Sequence, residues 1–92
     1  MLIILCQWSI ILDNMSDKVD KLHIKIGLKI KLERAKRKIS QEKLAELSSL
    51  SKSYVGSVER GECIPTIETL NKIASALDIE LVKLVDVSKV EL

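Results

Sequence analysis

Apolar residues recur with helical spacing over much of the chain, and the first clear run lies in residues 22–37. Residues 22–32 alternate apolar and polar positions as a strand would, but the same residues also fall on two helical stripes. We predict a helix over Ile24–Arg37, because the run continues into LERAKRK, which is rich in residues that favour helices. The two stripes are Ile24, Leu28, Leu32 and Ala35, and Ile26 and Ile30.

Residues 40–61 predict two short helices joined by a tight turn. Ser40 and Ser51 can each cap the start of a helix, because a serine hydroxyl accepts an otherwise unpaired backbone N–H. Gly61 can end the second helix. The first of the two helices carries an apolar stripe of Leu44, Ala45 and Leu47.

The positions of small and apolar residues predict how these two helices pack. Helices that cross steeply need a small residue where they touch, and Ala45 lies at that position. Val55 and Val58 lie three apart and would lock the second helix onto the first. The rest of the second helix would then face outward, with Lys52, Ser53, Gly56, Ser57 and Arg60.

The C-terminal part of the chain continues the helical pattern. Thr66 can cap a fourth helix, and Asp78 would have to accept the chain reversal after it. The fourth helix has the stripe Ile67, Leu70, Ile73, Ala74 and Leu77, and a short fifth helix has Leu81, Leu84 and Val85. We therefore predict an all-α fold of five helices, divided into an N-terminal segment 1–23, a helical domain 24–85 and a tail 86–92.

Composition agrees with a small helical protein and gives no sign of an enzyme. Hydrophobic residues make up 47% of the chain and aromatic residues only 2%, so the core must be aliphatic. The net charge of +2 permits nucleic-acid binding without arguing for it. Cys6 and Cys63 fit neither a metal site nor a disulfide framework, so we expect reduced thiols in a cytoplasmic protein. We expect His23 to be exposed, and we expect no metal, no cofactor and no catalytic site.

Residues 1–12 are almost entirely apolar. The run is too short to span a bilayer, which takes about 20 residues. It also has no basic region before it and no small-residue cleavage site, so neither a membrane anchor nor a signal peptide is favoured. We favour Met15 as the true start of the protein. If residues 1–14 are made, they would form a helix packed on the domain or an exposed apolar end.

Residues 40–61 resemble the helix-turn-helix of the Cro/phage-repressor family, also called XRE-like. In that pattern Gln41 starts the first motif helix, Ala45 is the crossing residue, and Glu59-Arg60-Gly61 ends the recognition helix. The similarity covers about residues 26–85 and implies a compact, lambda-repressor-like DNA-binding domain with the motif at helices two and three. The run SYVGSVERGE also resembles the controller proteins of restriction–modification systems.

The sequence departs from the family pattern at three positions. Ser49 replaces the usual glycine of the turn, Gly56 lies inside the recognition helix, and Glu33 replaces a frequent leucine. Gly56 should cost the helix about 1 kcal/mol relative to alanine. Glu33 leaves the register of the first helix less firmly set.

The resemblance implies that the recognition helix contacts DNA. Lys52 is expected to read a guanine edge, whereas Gln41 and Arg60 are expected to contact phosphates. Since the surface is short-chained, we expect DNA shape to supply much of the specificity. The expected DNA-binding residues are Gln41, Ser51, Lys52, Ser53, Tyr54, Gly56, Ser57 and Arg60. The expected motif core is Ala45, Leu50, Val55 and Val58.

Two sets of charges lie next to this surface. The resemblance implies a structural ion pair between Arg34 and Glu59, because many family members pair these positions. The cations Lys36, Arg37 and Lys38 end the first helix. They either complement the helix dipole or contact phosphate, and the sequence leaves both open.

The sequence thus favours a DNA-binding transcriptional regulator, either a repressor or a controller, that binds a two-fold operator in double-stranded DNA as a homodimer. Val82 and Val85 are the expected dimer contacts, because they are apolar and lie far from the recognition helix. One alternative is an antitoxin that neutralises a toxin protein and represses its own operon. Another is a protein-interaction module that has kept the fold and lost base reading. No membrane is expected among its partners.

Overall fold

The computed structural model describes residues 22–90, which form five α-helices and no strand. The all-α prediction is confirmed, and the alternating run at residues 22–32 is helical. The predictions about residues 1–14, Met15 and Cys6 lie outside the described residues. The helices are α1 (residues 22–36), α2 (Gln41–Ser48), α3 (Lys52–Glu59), α4 (Ile67–Ala76) and α5 (Leu81–Val85).

Three helices begin at the caps that the sequence predicts. The side-chain oxygens of Ser40, Ser51 and Thr66 each accept the backbone N–H three residues further along the chain. After α2 and α4 the chain reverses through Ser49 and Asp78, whose φ angles are 58° and 56°. This left-handed conformation disfavours any residue with a Cβ, so both turns carry a small local strain that glycine would remove.

The core lies where the five helices converge. Only one of the two apolar stripes of α1 faces it, since Ile26 and Ile30 are buried whereas Leu32 is exposed. This choice sets the register of α1 and turns the position of Glu33 toward the packed side of the helix. The buried apolar residues are Ile26, Ile30, Leu44, Ala45, Val55, Val58, Leu70, Ile73, Ala74, Leu77 and Leu84.

Three apolar residues differ from the sequence prediction. Ile67 is 76% exposed, because it lies in the first turn of α4 and projects beyond the core, and Leu47 is exposed in the last turn of α2. Val85 is partly buried and packs against the core, as does Leu81 one turn earlier on α5. Of the two expected dimer contacts, therefore, only Val82 is open, at 74% exposure.

None of the helices within residues 22–90 has the length and apolar character needed to cross a membrane.

Candidate nucleic-acid interface

The outward face of α3 is polar and rich in hydrogen-bond donors. Lys52 and Ser53 are exposed at its N-terminal end, and Arg60 is exposed at the residue that caps its C-terminal end. Together with a side chain of α2, this face forms an open notch of about 490 Å³, lined by Gln41, Lys52, Ser53, Gly56 and Arg60. The structure therefore brings five of the eight expected DNA-contacting residues to one place.

The other three expected residues lie on α3 or at its N-cap and do not line the notch. Ser51 caps α3, and its Oγ accepts the backbone N–H of Tyr54 at 3.0 Å. Tyr54 is half-buried and packs against the core, and Ser57 is half-buried on the same helix. Ser51 and Tyr54 thus help to hold α3 in place.

The opposite side of α3 packs against the fold through apolar side chains. Val55 and Val58 are almost fully buried, as is Ala45 on α2. Leu50, in the turn between the two helices, is partly buried against the same cluster. Burying these side chains excludes water from behind α3, so the helix presents one defined face to the outside.

A fork of hydrogen bonds ties the end of α3 to α1. The Arg34 Nε donates to Glu59 Oε2 at 2.8 Å, and Arg34 Nη2 donates to Glu59 Oε1 at 3.0 Å. Arg34 Nη1 donates to the backbone carbonyl of Ile39 at 2.9 Å, so the guanidinium also holds the chain between α1 and α2. The hydrogen bonds to the Glu59 carboxylate raise the pKa of Arg34 above its ordinary value, which keeps the guanidinium charged.

Gln41 connects this buried pair to the outward notch. Its Nε2 donates to Glu59 Oε1 at 3.0 Å, and its Oε1 lies near Gly56. The Gln41 amide therefore braces α3, and one of its two hydrogens is donated to Glu59.

Gly56 is buried, although the sequence analysis placed it on an outward face. Two side chains cover it: a Cβ built on Gly56 would lie 2.8 Å from Arg60 Nη1 and 3.6 Å from Gln41 Oε1. Glycine is thus the residue that lets the Arg60 guanidinium lie against the helix backbone.

Arg60 has a partner, Glu62, that the sequence did not predict. Its Nε donates to Glu62 Oε1 at 2.7 Å and its Nη2 donates to Glu62 Oε2 at 3.1 Å. These hydrogen bonds raise the pKa of Arg60 and lower the pKa of Glu62, so both groups stay charged. Glu62 lies beyond the end of α3, where no helical spacing rule applies, so the sequence carried no signal for this pair.

Two further contacts hold the end of α3 from behind. A Cβ on Gly27 of α1 would clash with the backbone carbonyl oxygen of Val58 and lie 2.9 Å from that of Glu59. Gly61 has a φ of 72°, and a Cβ there would lie 2.8 Å from Cγ1 of Ile24. The two glycines allow α1 and the end of α3 to approach closely, and a single sequence gives no means of seeing such a long-range approach.

His23 is half-buried rather than exposed, which corrects the sequence prediction. Its Nε2 lies 3.0 Å from the carbonyl oxygen of Gly61, to which it can donate a hydrogen bond. This contact is possible because α1 starts beside the turn that follows α3.

Glu33 forms ion pairs with three cations of α1 and the residue that follows it. Its carboxylate lies within 3.3 Å of Lys29 and Lys36 and within 2.8 Å of Arg37. The hydrogen bond from Arg37 is the largest of the causes that lower the Glu33 pKa to about 2. The spacings of three and four residues are visible in the sequence, so this cluster was predictable from helical geometry. Lys38 stands apart from it, exposed and with a φ of 56°.

Within residues 22–90 no group of three or more histidine, cysteine, aspartate or glutamate side chains is arranged to hold a metal ion. The chemistry of the notch is that of hydrogen-bond donation by an ammonium, a guanidinium, a hydroxyl and an amide. Such groups complement the acceptors of phosphates and base edges.

Two short helices with a locked inner face and a donor-rich outer face are the arrangement of a helix-turn-helix. The family model described as helix-turn-helix, HTH_3, matches residues 30–84. The chain belongs to this family. The matched part of the helix-turn-helix domain includes α2, α3 and α4 entire, together with Arg34 and Glu59.

Several relatives share this domain. The chain is 41% identical over 56 residues to the immunity repressor protein of Bacillus phage phi105, a match covering 61% of this chain and 39% of the repressor. It is 50% identical over 46 residues to the control protein C.SmaI of Serratia marcescens, covering 50% of this chain and 55% of that protein. The chain thus spans less than two thirds of the length of either relative.

A solved structure shows the same fold. The crystal structure of the restriction–modification controller protein C.AhdI from Aeromonas hydrophila matches with a TM-score of 0.65 and 44% identity. The match covers 66% of this chain and 92% of the C.AhdI chain.

Proposed function

We propose that this protein is a sequence-specific DNA-binding transcriptional regulator that places α3 in the major groove. The observation that carries the proposal is the contrast between the two sides of α3. Its inner side is fixed by apolar burial and the Arg34–Glu59 fork, while its outer side brings the exposed side chains of Lys52, Ser53 and Arg60 into one notch. A helix of this kind fits the major groove in width and presents donors to the acceptors of guanine. The names of the phage repressor and the control protein support a regulatory role.

Lys52 is the proposed direct reader, because it is exposed at the N-terminal end of α3, which reaches deepest into the groove. The test starts by selecting bound sequences from random duplex DNA with the purified full-length protein. The selected operator and a random duplex are then titrated at several salt concentrations. We expect Lys52→Ala to weaken operator binding by about 1–3 kcal/mol and to change random-duplex binding little.

Lys72, exposed on α4 and away from the notch, provides the control. Lys72→Ala removes the same charge and should leave operator preference intact. If the wild-type protein enriches no sequence at all, the regulator proposal fails and the protein-interaction module becomes the better account.

We also propose that the protein binds its operator as a homodimer through α5. A single short recognition helix contacts too little DNA for high specificity, and a dimer reads two half-sites. Val82 is the supporting observation, since it is 74% exposed on α5. Val82→Glu should weaken dimerisation and operator binding together, whereas Ile67→Glu, at a residue with 76% exposure, should change neither. Sedimentation that finds a monomer where the operator is fully bound would contradict the dimer.

A controller of a restriction–modification system is the regulatory subtype that we propose. The support is the similarity to the control protein C.SmaI and to the controller protein C.AhdI. We propose a cytoplasmic protein without catalytic activity, since its target is DNA and its notch carries binding groups alone. Binding of the purified protein to DNA upstream of its own gene would support this subtype, and selected sequences absent from that DNA would contradict it.

A further inference from the structure

We propose that Arg60 reads a base edge in the major groove, and that Gly56 and Glu62 are the positioning residues that place it there. The proposal rests on the proposed function of α3 as the recognition helix. It changes the expected role of Arg60 from a phosphate contact to a sequence contact.

The Arg60 guanidinium lies over α3 and not beyond its end. The Cα of Arg60 is at the C-terminal end of α3, but helical side chains lean toward the N-terminus. Nη1 accordingly lies over Gly56, one turn back, and lines the same notch as Lys52 and Ser53. The charged group is therefore in the middle of the outward face and not at the exit of the helix.

The pair with Glu62 leaves one edge of the Arg60 guanidinium available to a ligand. The Glu62 carboxylate accepts hydrogen bonds from Arg60 Nε at 2.7 Å and from one hydrogen of Arg60 Nη2 at 3.1 Å. The hydrogens that remain belong to Nη1 and to the other side of Nη2, and they form the end-on fork of the arginine. Guanine presents two acceptors, N7 and O6, on one edge, and arginine recognises them by two parallel hydrogen bonds.

The negative charge of Glu62 discriminates between a phosphate and a base edge. A carboxylate in direct contact with the arginine repels a phosphate that approaches the same guanidinium. A base edge carries no net charge and meets no such repulsion. Glu62 therefore hinders a phosphate contact and, by fixing the fork, favours a base contact.

Gly56 leaves the space that the Arg60 guanidinium occupies. A Cβ at Gly56 would lie 2.8 Å from Nη1, and the atom that must move is the far end of a flexible side chain. Alanine at this position would displace the guanidinium from the notch without disturbing the fold. The missing side chain thus makes room for the arginine.

The experiment compares selection profiles of the full-length wild type, Arg60→Lys and Arg60→Ala, followed by titration on the operator and on a random duplex. Lysine keeps the charge and loses the planar fork. If Arg60 reads a guanine, Arg60→Lys should flatten the preference at one base pair of each half-site. It should also weaken operator binding by roughly 5- to 150-fold, with random-duplex affinity and salt dependence nearly unchanged. Arg60→Lys that keeps the full preference and operator affinity would show a merely electrostatic contact and overturn the proposal.

The positioning residues give a second measurement. Glu62→Gln frees the arginine and removes a negative charge, so random-duplex affinity should rise while preference at the same base pair falls. Gly56→Ala should lower that preference while the thermal midpoint stays equal or rises, because alanine favours a helix. Unchanged profiles in both variants would overturn the positioning role. A wild-type protein that enriches no sequence would instead overturn the proposed function, and this proposal with it.

Discussion

The two sides of the end of α3 carry the same type of ion pair in different surroundings. On the inner side, Arg34 and Glu59 make hydrogen bonds of 2.8 Å and 3.0 Å, and their side chains are 16% and 2% exposed. On the outer side, Arg60 and Glu62 make bonds of 2.7 Å and 3.1 Å, but their side chains are 56% and 54% exposed. Water screens the outer pair, so nearly identical geometry stabilises the fold on one side and only orients a side chain on the other.

Gly27, on the inner side, and Gly56, on the outer side, show the same difference between a fixed and an adjustable surrounding. Gly27 faces the backbone carbonyls of Val58 and Glu59, which cannot move without shifting α3. Gly56 faces the tip of the Arg60 side chain, which can rotate away. The inner side of the helix end is therefore intolerant of change, and the outer side is adjustable.

The largest effect is expected for the inner pair. Arg34→Ala leaves the Glu59 carboxylate buried without its cation, so the free energy of unfolding should fall by about 3–5 kcal/mol. Chemical denaturation followed by circular dichroism measures this change. On the outer side, Glu62→Gln should leave the denaturation midpoint where it is in the wild type.

A double-mutant cycle separates the pair from its neighbours. Arg34→Ala and Glu59→Ala, singly and together, give the coupling energy between the two side chains. A coupling energy near zero would contradict the stabilising role of the inner pair. Equal losses of unfolding free energy from Arg34→Ala and Glu62→Gln would show that the inner and outer pairs do not differ in their effect on stability.

The glycines should give the next largest effect. Gly27→Ala forces a methyl group against backbone carbonyls, and overpacking of this kind costs about 1–3 kcal/mol. Gly56→Ala should stabilise the protein by up to about 1 kcal/mol, since only a side-chain tip has to move. Both residues lie inside helices, so both substitutions gain the same helix propensity. The difference in thermal midpoint between the two variants therefore reports the difference in packing. Equal midpoints for the two variants would show that α1 adapts to the added methyl group.

The smallest effect concerns Glu33, a carboxylate that is buried while the cations around it remain partly exposed. Its folded-state pKa of about 2 lies below the ordinary value of 4.5, so it stabilises the fold above about pH 4.5 and loses this contribution as the pH falls toward 2. Solvent screens the three partly exposed cations, so we expect the contribution of Glu33 to stay well below that of the buried Arg34–Glu59 pair. The difference in unfolding free energy between wild type and Glu33→Gln should therefore shrink between about pH 5 and pH 2. A difference that stays constant across this range would show that Glu33 is not held in its charged form by the fold.

The sequence predicted what depends on local spacing. Ser40, Ser51 and Thr66 were identified as caps because a cap is a property of its own helix. The helices and the inner face of α3 followed from apolar periodicity. Arg34 and Glu59, which lie 25 residues apart, were paired through family resemblance and not through spacing.

What the sequence missed depends on tertiary approach. Nothing local distinguishes Gly27 from Gly56, because the difference lies in what each meets across the fold. The Arg60–Glu62 pair forms where the helix ends. There the conformation of the turn, and not the helical period, sets the direction of each side chain. Ile67 fits its stripe by spacing, yet the core does not extend as far as the first turn of α4.

The close approach at Gly27 has a mechanical consequence. Since no side chain separates α1 from the last carbonyls of α3, no rotamer change on α1 can let the recognition helix tilt. With the Arg34 fork beside it, this contact makes α1 and the end of α3 one stiff unit before any duplex arrives. In the proposed complex with DNA, the compliant partner is then the duplex, whose base-pair steps differ in how easily they kink and twist. The duplex must therefore deform to fit α3. We expect easily deformed operators to bind more tightly, even where no side chain touches a base.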